Sequence, residues 1–183
     1  VENRRLVGIV QDSALVDKGD VKAELGTVRD RFTHVFVRGG QHIYDVMKVF
    51  TEQGLTIVPV LDDTGNFLGT VGEHEALRRL AEVANINQPG SVVVLEMSSV
   101  DYSLHEIARI VEGNDAKVLS VYTHSLPDSS RTEVTLKINR EDISDVLQSF
   151  ERYDYRVKST YQGSRFHDDL RGRYDELMRY INL

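Results

Sequence analysis

Hydrophobic residues in the first half of the chain are spaced as expected for alternating strands and helices. Residues 34–37, 55–61 and 67–71 are short apolar runs typical of strands, and Gly39-Gly40 and a polar segment at 62–66 read as turns. Two apolar stripes at helical spacing predict helices with one buried face: Ile43, Val46, Met47 and Phe50, then Leu77, Leu80, Ala81 and Ala84. The predicted order is therefore β-α-β-β-α.

A short pattern occurs twice in this region. Leu6-Val7-Gly8-Ile9-Val10 and Phe67-Leu68-Gly69-Thr70-Val71 each follow a polar turn and precede an acidic stretch, with their glycines 61 residues apart. A repeated turn, glycine-bearing strand and helix start predicts a duplicated unit with a cleft between its copies. Repeat one (about 1–31) lacks the strand and helix that open repeat two (about 32–84), so we expect the chain to start inside a repeat.

The second half of the chain has a different order of elements. The polar segment 85–90, with Pro89-Gly90, marks a domain boundary. Beyond it, strands are predicted at 92–97, 116–124, 132–138 and 155–161, with helices begun by a Ser103/Glu106 capping box and by Asn139. This β-α-β-β-α-β order is that of a ferredoxin-like sandwich. The predicted domains are 1–88, 89–163 and a C-terminal helix at 164–183.

Composition limits the function classes. The 183 residues carry a net charge of −7, which argues against a broad nucleic-acid interface, and they include no cysteine, which excludes disulfides and zinc-thiolate sites. No apolar run approaches the roughly 20 residues that cross a bilayer, and no signal peptide opens the chain. We therefore expect a cytoplasmic αβ protein that binds neither nucleic acid nor membrane.

Specific residues resemble the CBS domain, a small αβ module that works in pairs. The resemblance covers Val1 to Ala84 and is carried, in order, by Leu55-Thr56-Ile57-Val58-Pro59-Val60, the turn Asp62-Asp63-Thr64-Gly65-Asn66, and Phe67-Leu68-Gly69-Thr70-Val71. The region from Val92 to Tyr161 resembles an ACT domain by its element order. A CBS pair followed by an ACT-like unit is similar to the acetoin utilization family of bacterial CBS proteins.

The CBS resemblance implies an adenosine-containing ligand, of the AMP, ATP or S-adenosylmethionine type, in the cleft between the copies. The family's pattern ends Gly-x-Val-Thr-x-x-Asp, whose hydroxyl contacts phosphate and whose carboxylate holds the ribose. Gln11 and Ala14 stand at these two positions in the first copy, and Gly72 and Glu75 in the second. Loss of the aspartate at Ala14 removes hydrogen bonds worth roughly 1.5–3 kcal/mol each.

The second copy is therefore the better nucleotide-binding candidate under this resemblance. Glu75 would hold the ribose, the base would lie against Ile57 and Pro59, and His42 would lie near the entrance. The alternative is that Glu75 simply begins a helix, where its charge suits the helix dipole.

The ACT resemblance implies a ligand at the first strand-to-helix loop of the second unit. Asp101, Tyr102 and Ser103 form that loop, whose helix-start amides suit an amino-acid carboxylate, and Asn114 is a further candidate contact. The alternative, which we favour, is that Asp101 and Ser103 only cap the helix.

No residue pattern indicates catalysis or a metal site. The chain contains no Gly-x-Ser-x-Gly, P-loop or His-Glu-x-x-His motif, and the side chains of Glu73-His74-Glu75 point in different directions on a helix. The predicted function is a non-catalytic regulatory homodimer that senses an adenine nucleotide or other small metabolite for an unidentified partner protein. The alternative is a structural or protein-interaction module whose ligand sites have degenerated.

Overall fold

The computed structural model describes residues 1–11, 24–127 and 129–162. The chain divides into two compact units, Val1–Val83 and Ala84–Leu183. Ala14 and the predicted C-terminal helix at 164–183 lie outside the described residues.

The first unit is a three-stranded sheet with helices. After a 3₁₀ helix at Leu25–Arg31, its elements are β1 (Val37–Arg38), α1 (Ile43–Gln53), β2 (Ile57–Leu61), β3 (Phe67–Gly72) and α2 (Glu73–Val83). β1 pairs parallel to β2, and β2 pairs antiparallel to β3. The predicted β-α-β-β-α order is confirmed.

The predicted strand at 34–37 is wrong in extent. Only Val37 and Arg38 pair with β2, opposite Val60 and Leu61. The Gly39 N–H makes the last hydrogen bond to β2, to the Leu61 carbonyl at 3.1 Å, and the chain then turns at Gly39-Gly40, so the pairing ends after two residues.

One face of α1 is buried against the sheet. Val46 and Phe50 lie in a core with Val37, Val58 and Ala76. The helix ends at Gly54, which adopts a left-handed conformation (φ +60°) and donates its N–H to the Phe50 carbonyl at 3.0 Å. This glycine cap places the start of β2 close to the end of α1.

The turn between β2 and β3 is organised by the Asp62 carboxylate. It accepts hydrogen bonds from the Asn66 side chain at 2.9 Å, the Asn66 N–H at 2.7 Å, and the N–H and hydroxyl of Thr64 at 2.9 and 2.8 Å. Hydrogen bonds from the Asn66 side chain first, then from the Asn66 N–H and Thr64, lower the pKa of Asp62 to about 2. The turn therefore depends on an ionised carboxylate.

The N-terminal segment is not the strand that the repeat predicts. Among the described residues of Leu6–Val10, only Ile9 forms a bridge, with Thr33, through two N–H···O bonds of 2.9 Å. Gly8 has a φ of +153°, and a Cβ there would lie 2.7 Å from the Phe32 Cβ. Gly69, its counterpart in the repeat, lies within β3 opposite Val60, next to a shift in the β2–β3 register. The backbone at Gly8 therefore interrupts strand geometry in the first copy.

The second unit has the predicted β-α-β-β-α-β order. Its elements are β4 (Ser91–Ser98), α3 (Leu104–Glu112), β5 (Val118–Ser125), β6 (Arg131–Ile138), α4 (Ser144–Arg152) and β7 (Arg156–Tyr161). The sheet order is β5-β6-β4-β7, with every neighbouring pair antiparallel. This is the topology of a ferredoxin-like sandwich.

The helices of this unit begin differently from one another. The Ser103 hydroxyl accepts from the Glu106 N–H at 3.4 Å, which confirms the predicted cap of α3. The predicted cap of α4 by Asn139 is wrong, because the Asn139 side-chain oxygen accepts from the Lys117 N–H at 2.7 Å instead. The Asp142 carboxylate accepts from the Ser144 N–H at 3.0 Å at the start of α4.

The second unit has the larger apolar core. Phe150 is fully buried, and its ring meets the Tyr155 ring edge-on at 5.6 Å. Gly90, at the entry to β4, has a φ of +143°, and a Cβ there would lie 2.0 Å from the Ile138 carbonyl oxygen. Only glycine fits this approach of two backbones.

Candidate functional site

A cavity of about 460 Å³ lies in the first unit. It is within the range of volumes that hold small-molecule ligands. Its lining residues are two short stretches and one single residue: Ile9-Val10-Gln11, Gly54-Leu55-Thr56-Ile57, and Thr33.

The Ile9–Thr33 bridge brings these stretches together. The Thr33 N–H donates to the Ile9 carbonyl and the Ile9 N–H to the Thr33 carbonyl, so the N-terminal segment is held beside the residue after the 3₁₀ helix. Gly54 and Leu55–Ile57 form the opposite wall of the cavity, because the chain continues directly into these residues where the Gly54 cap ends α1. The cavity therefore lies at the C-terminal end of α1.

Two of the predicted nucleotide-binding residues, Gln11 and Ile57, line this cavity. Gly72 lies beside it, since it pairs with Ile57 at the end of the β2–β3 ladder. Pro59 lies two residues further along β2, opposite Thr70, and is not a lining residue.

Glu75 lies in the first turn of α2 with its carboxylate held by Arg78. The Arg78 Nη2 lies 2.6 Å from Glu75 Oε1, and a second nitrogen lies 3.2 Å from Oε2. The hydrogen bond from Arg78, with its charge, lowers the pKa of Glu75. This carboxylate is exposed and engaged within its own helix, so a ligand would have to share it with Arg78.

His42 lies away from the cavity. It is the N-cap of α1, where its Nδ1 accepts from the Tyr44 N–H at 3.2 Å and its ring meets the Tyr44 ring edge-on. The cavity is at Gly54, at the other end of this helix of 11 residues. The structure therefore does not bring His42 together with Ile57.

Sequence reasoning missed six lining residues: Ile9, Val10, Thr33, Gly54, Leu55 and Thr56. All but Thr33 lie within three residues of Gln11 or Ile57 in the sequence, which is a usable signal. Thr33 has no such signal, because only its pairing with Ile9 brings it to the cavity.

A second cavity, of about 370 Å³, lies in the second unit and includes Asp101. The other lining residues come from the end of β4 and from the turn into β7: Glu96, Met97, Ser98, Tyr153, Asp154, Tyr155 and Arg156. The Glu96 carboxylate is bound there by Arg131 and by Arg156, the latter at 2.9 Å.

The other residues predicted for the ACT ligand loop have structural contacts. Tyr102 packs against the apolar core, and Ser103 caps α3. Asn114 follows the far end of α3, where its side-chain nitrogen donates to the Ile110 carbonyl at 2.7 Å and to the Ser149 hydroxyl at 3.0 Å. Helix α3 separates Asn114 from Asp101, so the structure does not bring these two together.

None of the helices within residues 1–11, 24–127 and 129–162 has the length and apolar character needed to span a bilayer. Within the same ranges, no three His, Cys, Asp or Glu side chains converge on a position for a metal ion.

Comparison with known families identifies one region. The CBS domain family model matches residues 28–82, which include β1 to β3, α1 and nearly all of α2. The predicted CBS resemblance is thereby confirmed for the second copy. Membership of the acetoin utilization family stays a prediction.

Solved structures of CBS proteins are similar to parts of the chain. A CBS domain pair/ACT domain protein from Thermotoga maritima is 24% identical, with 44% of this chain and 65% of that chain covered and a TM-score of 0.39. CBSX2 in complex with AMP is 24% identical, covers 45% of this chain and 71% of its own, and has a TM-score of 0.36. A CBS domain protein from Shewanella oneidensis MR-1 is 20% identical, with coverages of 40% and 58% and a TM-score of 0.31. The chain thus spans 65% of the Thermotoga protein, just under two thirds.

Proposed function

We propose that this chain is a non-catalytic regulatory protein whose first unit binds an adenosine-containing ligand of the AMP, ATP or S-adenosylmethionine type. The observation that carries the proposal is the 460 Å³ cavity. It lies where the end of the first glycine pattern meets the start of β2, and most of its lining residues, from Thr33 to Ile57, fall within the region that the CBS domain model matches.

The chemistry of the lining suits a nucleoside. Ile9, Val10, Leu55 and Ile57 are apolar and offer contact to a planar base. The hydroxyl of Thr56 and the amide of Gln11 can both donate and accept, as ribose hydroxyls and base edges require. The Thr33 hydroxyl donates to the Ile9 carbonyl at 3.4 Å and can accept a further hydrogen bond. A ligand there would bind the N-terminal segment and the α1–β2 connection at once, and would favour the arrangement in which the two are together.

Titration calorimetry with adenosine, AMP, ATP and S-adenosylmethionine tests this proposal. Replacement of Ile57 by Trp fills the cavity and should abolish binding. Leu68→Trp is the matched control, because Leu68 is also an exposed aliphatic residue of the same sheet and does not line the cavity. Absence of heat with all four ligands, or equal loss in both variants, would refute ligand binding at this cavity.

The second unit is proposed as an ACT-like domain for homodimerisation or for a second small molecule at the Asp101 cavity. Its β5 and β7 are sheet edges within the described chain, and an edge strand can pair with a second copy. Sedimentation equilibrium should give twice the chain mass. A monomer at high micromolar concentration would refute the dimer.

A second candidate function is a protein-interaction module whose ligand sites have degenerated. It is favoured by the replacement of hydroxyl residues by Gln11 and Gly72, and by the engagement of Glu75 with Arg78. This function predicts a partner protein whose affinity does not change when any of the four ligands is added.

A further inference from the structure

We infer that the cavity of the first unit selects a nucleoside that carries no phosphate. This inference rests on the proposed function and narrows its ligand class. It depends on the charges of the lining residues and on which helix ends face them.

Among the residues that the structure describes, the lining holds no counter-charge for a phosphate. The eight described residues that form it have apolar or neutral polar side chains. Phosphate sites in proteins use Arg or Lys side chains, or several free N–H groups at a helix start. A phosphate moved from water into a neutral pocket loses hydration that nothing in these eight residues replaces.

The helix end nearest to the cavity has the wrong polarity for an anion. Gly54 and Leu55 line the cavity and directly follow α1, so the last carbonyls of α1 are directed toward this end. A helix C-terminus carries a partial negative charge, which repels phosphate and favours groups that donate hydrogen bonds. The amino group of a base and the hydroxyls of a ribose are such donors.

The N-terminus of α2 is the nearby feature that would otherwise attract phosphate. It is tied to the cavity wall, because the Glu73 N–H donates to the Thr56 carbonyl at 3.0 Å. Its first turn carries the carboxylates of Glu73 and Glu75, which oppose an incoming anion. Arg78, in the next turn of α2, is bound by Glu75 at 2.6 Å and by Glu82 at 2.7 Å.

Competition between ligands that differ only in phosphate tests the inference. Calorimetry on the full chain should give adenosine a dissociation constant no larger than that of AMP, and ATP a constant at least tenfold larger than that of adenosine. S-adenosylmethionine, which also lacks phosphate, should group with adenosine. Binding of AMP or ATP tenfold tighter than adenosine overturns the inference and leaves the proposed function standing, whereas no binding by any ligand overturns both.

A charge variant provides an independent readout. Glu73→Gln removes one carboxylate from the first turn of α2 and should tighten AMP binding by about two- to fivefold, with adenosine binding unchanged. Asp45→Asn, in the first turn of α1 at the helix end away from the cavity, is the matched control and should change neither. Equal AMP affinity in both variants would show that the α2 carboxylates do not exclude phosphate, and would count against the inference.

Discussion

Replacement of Gly8 by alanine is the sharpest test of how the first unit builds its cavity. Gly8 has a φ of +153°, which L side chains rarely adopt, and backbone strain of this kind costs about 1–3 kcal/mol. The new Cβ would also lie 2.7 Å from the Phe32 Cβ, an atom attached to the backbone that cannot rotate away. The segment must therefore move, and the Ile9–Thr33 bridge must open or shift.

The repeat supplies the control for this substitution. A Cβ on Gly69 would meet nothing within 4 Å, and its φ is not in the restricted range. Gly69→Ala should therefore leave stability unchanged or raise it by about 0.4–1 kcal/mol, through the less flexible unfolded chain. The two variants make the same chemical change at equivalent positions of the sequence pattern, with opposite expected results.

Native-state hydrogen exchange of the Ile9 and Thr33 amides is the direct assay. Both amides should lose about 1–3 kcal/mol of protection in Gly8→Ala and none in Gly69→Ala. If the ligand binds only when the Ile9–Thr33 bridge is formed, its affinity should fall by about 5- to 150-fold in Gly8→Ala alone. Equal protection of both amides in the two variants would refute the role given to Gly8.

Three further predictions concern stability. Phe150→Ala should lower the unfolding free energy of the second unit by about 3–5 kcal/mol in urea titrations followed by circular dichroism, since a fully buried ring is lost; a loss below about 1 kcal/mol would contradict its place in the core. The pKa of Asp62 is about 2 in the folded chain and 3.8 ordinarily, so its stabilisation is complete above pH 4 and is lost as the pH falls from about 4 to 2. In Asp62→Asn, the unfolding free energy should change less with pH over that interval. An unchanged pH profile of the unfolding free energy would contradict the turn's dependence on charge. Asn114→Ala should cost about 1–2 kcal/mol of unfolding free energy and leave ligand binding unchanged, because its bonds join α3 to α4; a binding defect at normal stability would revive its predicted role.

Elements whose signals are local could be predicted from the sequence. The stripe that buries Val46 and Phe50, and the glycine at 54 that ends the helix, lie within one stretch of chain, so the pattern alone indicates α1 and its end. The same holds for Ser103, whose hydroxyl reaches an amide three residues ahead. The alternation of strands and helices in both units follows from such local patterns.

Features set by distant contacts could not be predicted. Gly8 packs against Phe32, which is distant in the sequence. Asn139 does not cap α4 because its side-chain oxygen accepts from the N–H of Lys117, which is also distant. Thr33 reaches the cavity only through its pairing with Ile9. His42 shows the converse, since the resemblance predicts it near the entrance of the site but it caps the start of α1, a helix length away from the cavity.

The close approach at Gly90 has an evolutionary consequence. A methyl group there would meet the main-chain oxygen of Ile138 at 2.0 Å, so no amino acid other than glycine can occupy the position without displacing β6. Among descendants of this gene, this one glycine is therefore expected to stay fixed.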